Sequence, residues 1–435
     1  MPTFRGGVHP REHKEATEHR PVETAPLPPL LLIPLSQHTG APSAPVVKKG
    51  DMVKTGTLIG EPAGHISVPT HASLSGTVAD VASLPHPLTG RPVQTVIIDS
   101  DGEDNLDPAI GEHNPEGFTA AQIVAAVRSA GVVGLGGAAF PTFVKLSPPK
   151  ESPIDTLLIN GCECEPFLTA DHRIMLESPA GIIEGIRYMA MVLNTTNVII
   201  AIEDNKPDAI QAMTRAAEGT GFAVRRLKTK YPQGAEKQLI KACLRREVPS
   251  GGLPLHVGCV VQNVGTAIAV RDAVRFNRPL FERVLTVTGP AVREPKNLRA
   301  RIGTPVRHLI DFCGGYSGPL GRLVMGGPMM GIALSGDDAP VLKGTSGILA
   351  LGPEPEPQEE SCIRCGACVR ACPMGLAPTR LISHIRAQRL DAAKAEHVLD
   401  CVECGCCSWS CPARIRLVHG FKYAKSELAA RARRQ

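Results

Sequence analysis

The sequence predicts a multidomain α/β fold, in which a small β module comes first and a cysteine-rich helical module comes last. Three observations predict this fold. The 435 residues allow about two to four domains. Continuous apolar runs alternate with helical patterns in the middle of the chain, and eight of the 14 cysteines form two runs of the same spacing near its end. The many glycines and prolines favour short elements joined by turns over a long helical bundle.

The composition narrows the class of protein. A net charge of +5 over this length does not suggest a nucleic-acid-binding surface. The start of the chain lacks an apolar signal core, and the longest apolar stretches are far too short to span a bilayer. The sequence therefore predicts a chain that is either soluble or held at a membrane by partners. Basic residues near the C-terminus predict a solvated tail or a contact with an anionic membrane or acidic partner: Lys422, Lys425, Arg431, Arg433 and Arg434.

The first 112 residues are expected to contain an arm and a β module. Residues 1–30 are largely polar and predict an extended N-terminal arm. Residues 31–112 contain short apolar alternations at 47–59 and 71–78, bounded by Gly-Asp and Ser-Gly, which predict hairpins. Their pattern resembles a barrel-sandwich of the biotinyl/lipoyl type with its halves permuted. The Met-Lys-Met carrier tripeptide is absent, so we expect a structural module.

Residues 113–280 alternate helical and strand patterns. Residues 120–130 have helical periodicity, and the apolar runs at 156–160 and 197–202 predict buried parallel strands. Residues 181–193 lie between those runs and predict a crossover helix. Such a Rossmann-like sheet is a usual host for a nucleotide or a flavin.

Residues 281–352 predict a hairpin followed by a helix. The helix is expected to open at 303–305 and to end at the glycines 314–315. This arrangement resembles the soluble-ligand-binding β-grasp family, and we expect it to be a packing domain. An acidic, proline-rich linker is predicted at 353–360, at the start of the last domain, 353–435.

The two cysteine runs, residues 362–373 and 401–412, both read C-x2-C-x2-C-x3-C-P. This is the bacterial ferredoxin spacing, in which three thiolates hold one [4Fe–4S] cluster and the fourth reaches the other cluster. One predicted cluster has as ligands Cys362, Cys365, Cys368 and Cys411. The other has Cys401, Cys404, Cys407 and Cys372. Zinc would instead favour two C-x2-C pairs for each metal ion.

The runs therefore predict a module that moves single electrons. Residues 378–398, between the runs, have helical periodicity, so the module resembles the α-helical ferredoxin type. Cys406 is a spare thiol, which is either a small packing residue or a competitor of Cys407 in cluster assembly.

A glycine loop and an acidic loop point to a bound phosphate or nucleotide, and two further motifs follow them. Residues 134–142 read G-L-G-G-A-A-F-P-T, and Lys145 follows. A glycine loop lets backbone amides approach a phosphate, although alone it is equally typical of a tight turn. Residues 160–166, N-G-C-E-C-E-P, follow a predicted buried strand, where α/β sheets place ligands. Later come Y-P-Q-G-A-E at 231–236 and Q-N-V-G-T at 262–266.

These motifs resemble, in the same order, those of the flavin- and NADH-binding subunit of respiratory complex I. The chain departs from that pattern at Leu135, Cys162, Ala235 and Gly265, which affects the NADH contacts more than the flavin site. With the cluster runs, the permuted barrel-sandwich and the opening F-R-G-G-V-H-P at 4–10, nearly the whole chain resembles the RnfC family of the Rnf ion-translocating electron transport complexes.

The resemblance implies an FMN site that exchanges electrons with NAD(H). The implied cofactor-binding residues are Gly134, Gly136, Gly137, Lys145, Asn160, Tyr231, Gly234, Glu236, Asn263 and Thr266. Glu163 and Glu165 are implied to be catalytic, beside the contact between flavin and nicotinamide. Two interpretations of Cys162 and Cys164 stay open: they are either small residues next to an acidic loop or a metal-binding or redox pair.

The implied function is that of an oxidoreductase subunit of a translocase, at the cytoplasmic face of the bacterial inner membrane. Its expected partners are other subunits of a membrane complex, including an iron–sulfur subunit. Two other functions stay open. One is a non-catalytic electron wire or scaffold with a vestigial nucleotide site, and the other is a soluble NADH:acceptor reductase.

Overall fold

The computed structural model describes residues 1–355 and 358–434, so part of the predicted linker at 353–360 lies outside the described residues. The multidomain α/β fold predicted from the sequence is confirmed. The described residues form four sheets and a set of C-terminal helices.

The first module is a sandwich of two antiparallel sheets around an apolar core that includes Leu31, Ile33, Ile59 and Leu74. One sheet has the order β2-β8-β7-β4 and the other β3-β5-β6. Its strands are β2 Leu30–Pro34, β3 Ser43–Pro45, β4 Met52–Val53, β5 Leu58–Pro62, β6 Thr70–His71, β7 Gly76–Pro85 and β8 Pro92–Ser100, after a separate short strand β1, Val22–Thr24.

The predicted hairpins are partly wrong. Strands β7 and β8 form a long hairpin, but β4 pairs with β7 and β5 pairs with β3 and β6. The chain crosses from one sheet to the other at Gly56, whose φ of +98° suits glycine. The first apolar alternation is therefore divided between two sheets.

The α/β domain has a four-stranded parallel sheet of order β11-β10-β9-β12. Its elements are α1 Ala120–Ser129, α2 Thr142–Lys145, β9 Thr156–Asn160, α3 Ala170–Glu177, α4 Pro179–Val192, β10 Val198–Glu203, α5 Pro207–Ala216, β11 Ala223–Leu227, α6 Glu236–Leu244, β12 Cys259–Asn263 and α7 Val264–Phe276. Both predicted strands and the crossover helix α4 are present. Asn160 and Asn263 are register partners at the carboxyl ends of β9 and β12, which is where such sheets bind ligands.

The third domain has the predicted hairpin and helix. Its elements are β13 Glu282–Thr288, β14 Lys296–Arg301, α8 Val306–Phe312, β15 Arg322–Met325, β16 Ile332–Ala333 and β17 Gly347–Leu351. Strand β1 adds to this sheet in parallel to β14, so the N-terminal region is tied to the third domain across the chain.

The last module contains α9 Ala367–Ala371, α10 Pro378–Arg386, α11 Leu390–Ala395, α12 Cys406–Trp409 and α13 Leu417–Arg434. The helical segment predicted at 378–398 is interrupted, because Gln388 and His397 have positive φ. The basic C-terminal residues are helical rather than a loose tail, and the side chains of Lys422, Arg431 and Arg433 are exposed, as expected of a solvated segment. They belong to α13, which buries Phe421, Ala424 and Leu428 against the module.

Candidate functional site

Cysteines from both runs surround one cavity on the outside of the last module. The cavity has a volume of about 440 Å³ and lies between α9, α10 and the chain after α12. Its thiols, the outer thiol set, are those of Cys362, Cys365, Cys368 and Cys411. A second cavity of about 20 Å³ has the thiols of the inner thiol set, Cys372, Cys401, Cys404 and Cys407. This is the grouping that crossed fourth ligands require.

The two thiol sets fit clusters by the chemistry of their donors. All of their side chains are thiols and none is a histidine or carboxylate, as is typical of [4Fe–4S] ligation. Each set lines a cavity, of about 440 Å³ for the outer set and about 20 Å³ for the inner set. Among residues 1–355 and 358–434, no three His, Cys, Asp or Glu side chains are close enough to hold a single metal ion.

The inner thiol set lies against the α/β domain. The Sγ of Cys406, next to the ligand candidate Cys407, is 3.9 Å from the carbonyl oxygen of Tyr231. Ser250 donates to the Asp400 carboxylate at 2.5 Å. The outer set faces away: Cys362 and Cys365 are exposed, and Ile363 between them is 68% exposed. The inner set is thus the one next to the predicted flavin domain.

The glycine-rich loop, residues 134–138, lies beside the start of α7. The amide of Leu135 donates to Thr266 Oγ1 at 3.0 Å. Asn263 caps α7 by accepting from the Gly265 amide at 2.8 Å. The backbone at Gly136 and Gly137 is exposed. Exposed glycine amides beside a helix N-terminus are a favourable arrangement for a phosphate, so these residues fit the phosphate of a flavin nucleotide.

The two glycines differ in how much room they leave. A Cβ on Gly136 would lie 2.8 Å from Asn263 Nδ2, whereas a Cβ on Gly137 would have no atom within 4 Å. We expect Gly136→Val to lose the flavin, because its side chain fills the cradle and displaces Asn263. Gly137→Val separates these effects, since it would obstruct a phosphate without crowding the protein. Flavin content measured by absorbance after desalting is the test, and full retention in both variants would exclude the loop as the cradle.

Lys145 is paired within the protein. Its Nζ is 2.7 Å from Glu236 Oε1 and 3.1 Å from the carbonyl oxygen of Val261. Lys145 and Glu236, both predicted to bind the cofactor, therefore neutralise each other's charge. A phosphate at the glycine loop would therefore be attracted by the loop amides and the start of α7 rather than by Lys145.

The acidic loop, residues 160–168, is held by its own polar groups. Asn160 donates from Nδ2 to the Gly234 carbonyl at 2.8 Å and accepts from the Cys162 amide at 3.1 Å. The Glu163 carboxylate accepts from the amides of Asp171 and His172, at 2.8 and 3.1 Å. Glu163 thus caps the start of α3, where a negative charge is favourable.

Glu165 reaches into the third domain. Its carboxylate accepts from the amides of Met329 and Met330 at 3.0 and 2.9 Å, and from the Tyr231 hydroxyl at 3.4 Å. Burial raises the pKa of Glu165 to about 7, against the opposing effect of those donors.

The sequence did not mark Asp171, which contacts the predicted site directly. Its Oδ2 accepts from Asn263 Nδ2 at 2.6 Å. Burial, and next the charge of Glu163, raise the pKa of Asp171 to about 7. The two partners are 92 residues apart, and one acidic residue in the first turn of a helix is too common to single out.

The additional cysteines point in different directions. Cys162 Sγ is 3.7 Å from the Ala201 carbonyl oxygen, and Cys164 Sγ accepts from the Gly234 amide at 3.4 Å. Burial raises the pKa of both thiols. These contacts favour small packing residues over a redox pair. Cys406 is also buried, against Tyr231.

Four family models match the chain. They are the RnfC barrel sandwich hybrid domain at residues 2–103, the Nuo51 FMN-binding domain at 127–272, the SLBB domain at 284–333 and a 4Fe–4S dicluster domain at 358–415. Their order is the order of modules that the sequence predicts.

Two relatives match along nearly their whole length. The C subunit of the proton-translocating ferredoxin:NAD(+) oxidoreductase complex of Clostridium ljungdahlii is 48% identical, over 100% of this chain and 96% of that protein. The C subunit of the Na(+)-translocating ferredoxin:NAD(+) oxidoreductase complex of Acetobacterium woodii is 45% identical, over 99% and 98%. Among solved structures, a chain of an NAD+-reducing [NiFe]-hydrogenase in the H2-reduced state has a TM-score of 0.49 at 17% identity, covering 74% of this chain and 67% of that chain.

Proposed function

The chain belongs to the RnfC family of the Rnf ion-translocating oxidoreductase complexes, and we propose that it is the subunit through which such a complex exchanges electrons with NAD(H). The complex couples electron transfer between NAD(H) and ferredoxin to ion translocation. This chain supplies two [4Fe–4S] clusters and an FMN site.

One observation carries the proposal: the inner thiol set packs directly against the loop 231–236 of the flavin-type domain. Bound FMN can take two electrons as a hydride from a nicotinamide and pass them singly to iron–sulfur clusters. Placing the two kinds of site side by side is the protein's contribution to that exchange. A chain that merely stored clusters would not require this contact.

The glycine loop, Thr266, Asn263 and the two acidic residues each have a proposed task. The loop with Gly134, Gly136 and Gly137 holds the phosphate, and Thr266 fixes the loop through the Leu135 amide. Asn263 is oriented by its bonds to the Gly265 amide and to Asp171. Glu163 and Glu165 are assigned to the nicotinamide side. They act by fixing the loop backbone, because their carboxylates already accept hydrogen bonds.

The proposed location is the cytoplasmic face of the inner membrane, where NAD(H) and reduced thiols are found. No helix in the described ranges is both long enough and apolar enough to cross a bilayer. The outer thiol set, whose Cys362 and Cys365 are exposed, would face an iron–sulfur partner protein of the complex. Co-purification with membranes of the native host tests this placement, and recovery entirely in the soluble fraction would favour the soluble reductase.

We expect the reconstituted full chain to contain about eight irons and one flavin, taking four irons for each run of four cysteines. NADH should bleach the flavin absorbance anaerobically, and dithionite should reduce the clusters. Iron and flavin analysis with an anaerobic NADH titration measures this. Gly136→Val serves as the control that keeps the clusters without the flavin.

The electron-wire alternative is favoured by one observation: Lys145, Glu163 and Glu165 all have their charges satisfied within the protein. A chain with eight irons whose flavin is absent, or is not bleached by NADH, would support that alternative and contradict the proposal.

A further inference from the structure

The segment of residues 4–17, here called the strap, has almost no regular structure, yet four of its side chains are buried against other parts of the molecule. Phe4, Val8, Lys14 and Thr17 are each at most 6% exposed. Irregular backbone is usually found at the surface, because its polar groups need partners. The strap therefore needs an explanation in terms of the groups that it contacts.

One end of the strap contacts the backbone that carries a cysteine of the inner thiol set. The Gly7 amide donates to the Ala371 carbonyl at 2.8 Å. A Cβ on Gly6 would lie 2.5 Å from the Cys372 carbonyl oxygen. Both glycines have positive φ, +76° and +80°. No other residue type could bring the chain so close to Cys372 without strain.

The same end is paired with the flavin-type domain. Val8 and Tyr231 exchange backbone hydrogen bonds of 2.9 and 3.0 Å. Lys230 Nζ donates to the Phe4 carbonyl at 2.9 Å. The strap thus bridges the Cys372 backbone and the loop that carries Tyr231 and Gly234.

The middle of the strap anchors the acidic loop. Lys14 Nζ donates to the carbonyl oxygens of Glu163 and Glu165, both at 3.0 Å, and to that of Leu168. Glu163 and Phe167 have positive φ, 47° and 69°, which is unfavourable for residues other than glycine. A buried ammonium group that gathers three carbonyls can hold such a loop. Burial lowers the pKa of Lys14, which reflects the cost of placing that charge here.

We propose that the strap is a positioning element that sets the inner thiol set and the acidic loop in fixed places relative to each other. Gly6 and Gly7 act through the Cys372 backbone, and Lys14 acts through the carbonyls of the acidic loop. This inference rests on the proposed function for its kinetic consequence, whereas its structural part can be tested independently.

The first test is Gly6→Ala in the full reconstituted chain. Its methyl group would push the Cys372 backbone away. The matched control is Gly50→Ala, since Gly50 also has a positive φ, +91°, but a Cβ there has no atom within 4 Å. We expect Gly6→Ala, and not the control, to speed amide hydrogen exchange at residues 369–375. NADH should still reduce the flavin at the wild-type rate, while the clusters are reduced more slowly.

The second test is Lys14→Met, which keeps an unbranched stem and removes the three donors. We expect faster hydrogen exchange at residues 160–168 and slower reduction of the flavin by NADH, on the order of a hundredfold for a shift of about an ångström. Dithionite should still reduce both clusters. Lys14→Arg can donate to the same carbonyls and should recover part of the rate, and Lys48→Met, an exposed lysine, is the control.

The outcomes separate the two proposals. The strap is not a positioning element if amide hydrogen exchange at residues 369–375 is equally fast in Gly6→Ala and Gly50→Ala, and exchange at residues 160–168 is equally fast in Lys14→Met and Lys48→Met. If NADH fails to bleach the flavin of the wild-type chain, the proposed function is wrong, and hydrogen exchange still decides on the strap. Should Lys14→Met fail to fold, Gly6→Ala carries the test alone.

Discussion

Replacing Cys372 with serine is expected to remove the cluster of the second cysteine run and to leave that of the first. Cys372 belongs to the first run in sequence, but its thiol faces the cavity of Cys401, Cys404 and Cys407. A serine hydroxyl is a poorer ligand for iron than a thiolate. We expect about four of eight irons to be lost or loosely held.

The comparison with Cys365→Ser makes this result specific. Cys365 lies in the same run but faces the cavity that also contains Cys411. The two variants should therefore lose different EPR signals, each measured after reduction by dithionite. Cys406→Ser is the matched control, because Cys406 is buried beside the ligands without facing either cavity. Loss of the same signal from Cys372→Ser and Cys365→Ser would show that each run binds its own cluster.

The parts of the fold that depend on local pattern could be predicted from the sequence. The parallel strands β9 and β10 read as continuous apolar runs because both of their faces are buried. The grouping of the eight thiols follows from their spacing. The glycine loop at 134–137 could be recognised from its composition, although of its three glycines only Gly136 lacks room for a Cβ in the structure.

The remaining features depend on contacts between distant residues. Lys14 is one of several charged residues in a polar stretch, and its partners lie about 150 positions later. Glu163 caps α3, whereas Glu165 anchors residues 329–330. Local sequence pattern could not predict this difference between two neighbouring acidic residues. The sequence predicts an extended arm at residues 1–30. No local pattern in it indicates that the strap packs against two domains.

Glu165→Gln is expected to weaken the contact between the acidic loop and the third domain. Both carboxylate oxygens accept backbone N–H groups, from Met329 and Met330. A glutamine amide can replace one acceptor, but its NH2 group would face the other N–H donor. An unsatisfied buried donor costs about 1–3 kcal/mol. The acidic loop would shift, and we expect reduction of the flavin by NADH to slow on the order of a hundredfold.

The dependence of stability on pH provides an independent measure of the same substitution. Burial raises the folded-state pKa of Glu165 to about 7 from an ordinary value of 4.5. The folded state therefore binds the proton more tightly, so this residue makes the protein less stable as the pH rises from about 4.5 to about 7. The pKa of Asp171 is also raised, so Asp171 changes stability with pH in the same direction. Because Asp171 is present in both proteins, the difference between the pH dependence of the wild type and that of the variant isolates Glu165. We expect the melting temperature of Glu165→Gln to fall less steeply over this range than that of the wild type. The contrary result would be a melting temperature that falls equally steeply with pH in both proteins, together with an unchanged rate of flavin reduction. The carboxylate could then be removed without effect, which would contradict both the anchoring role of Glu165 and its proposed place at the nicotinamide side.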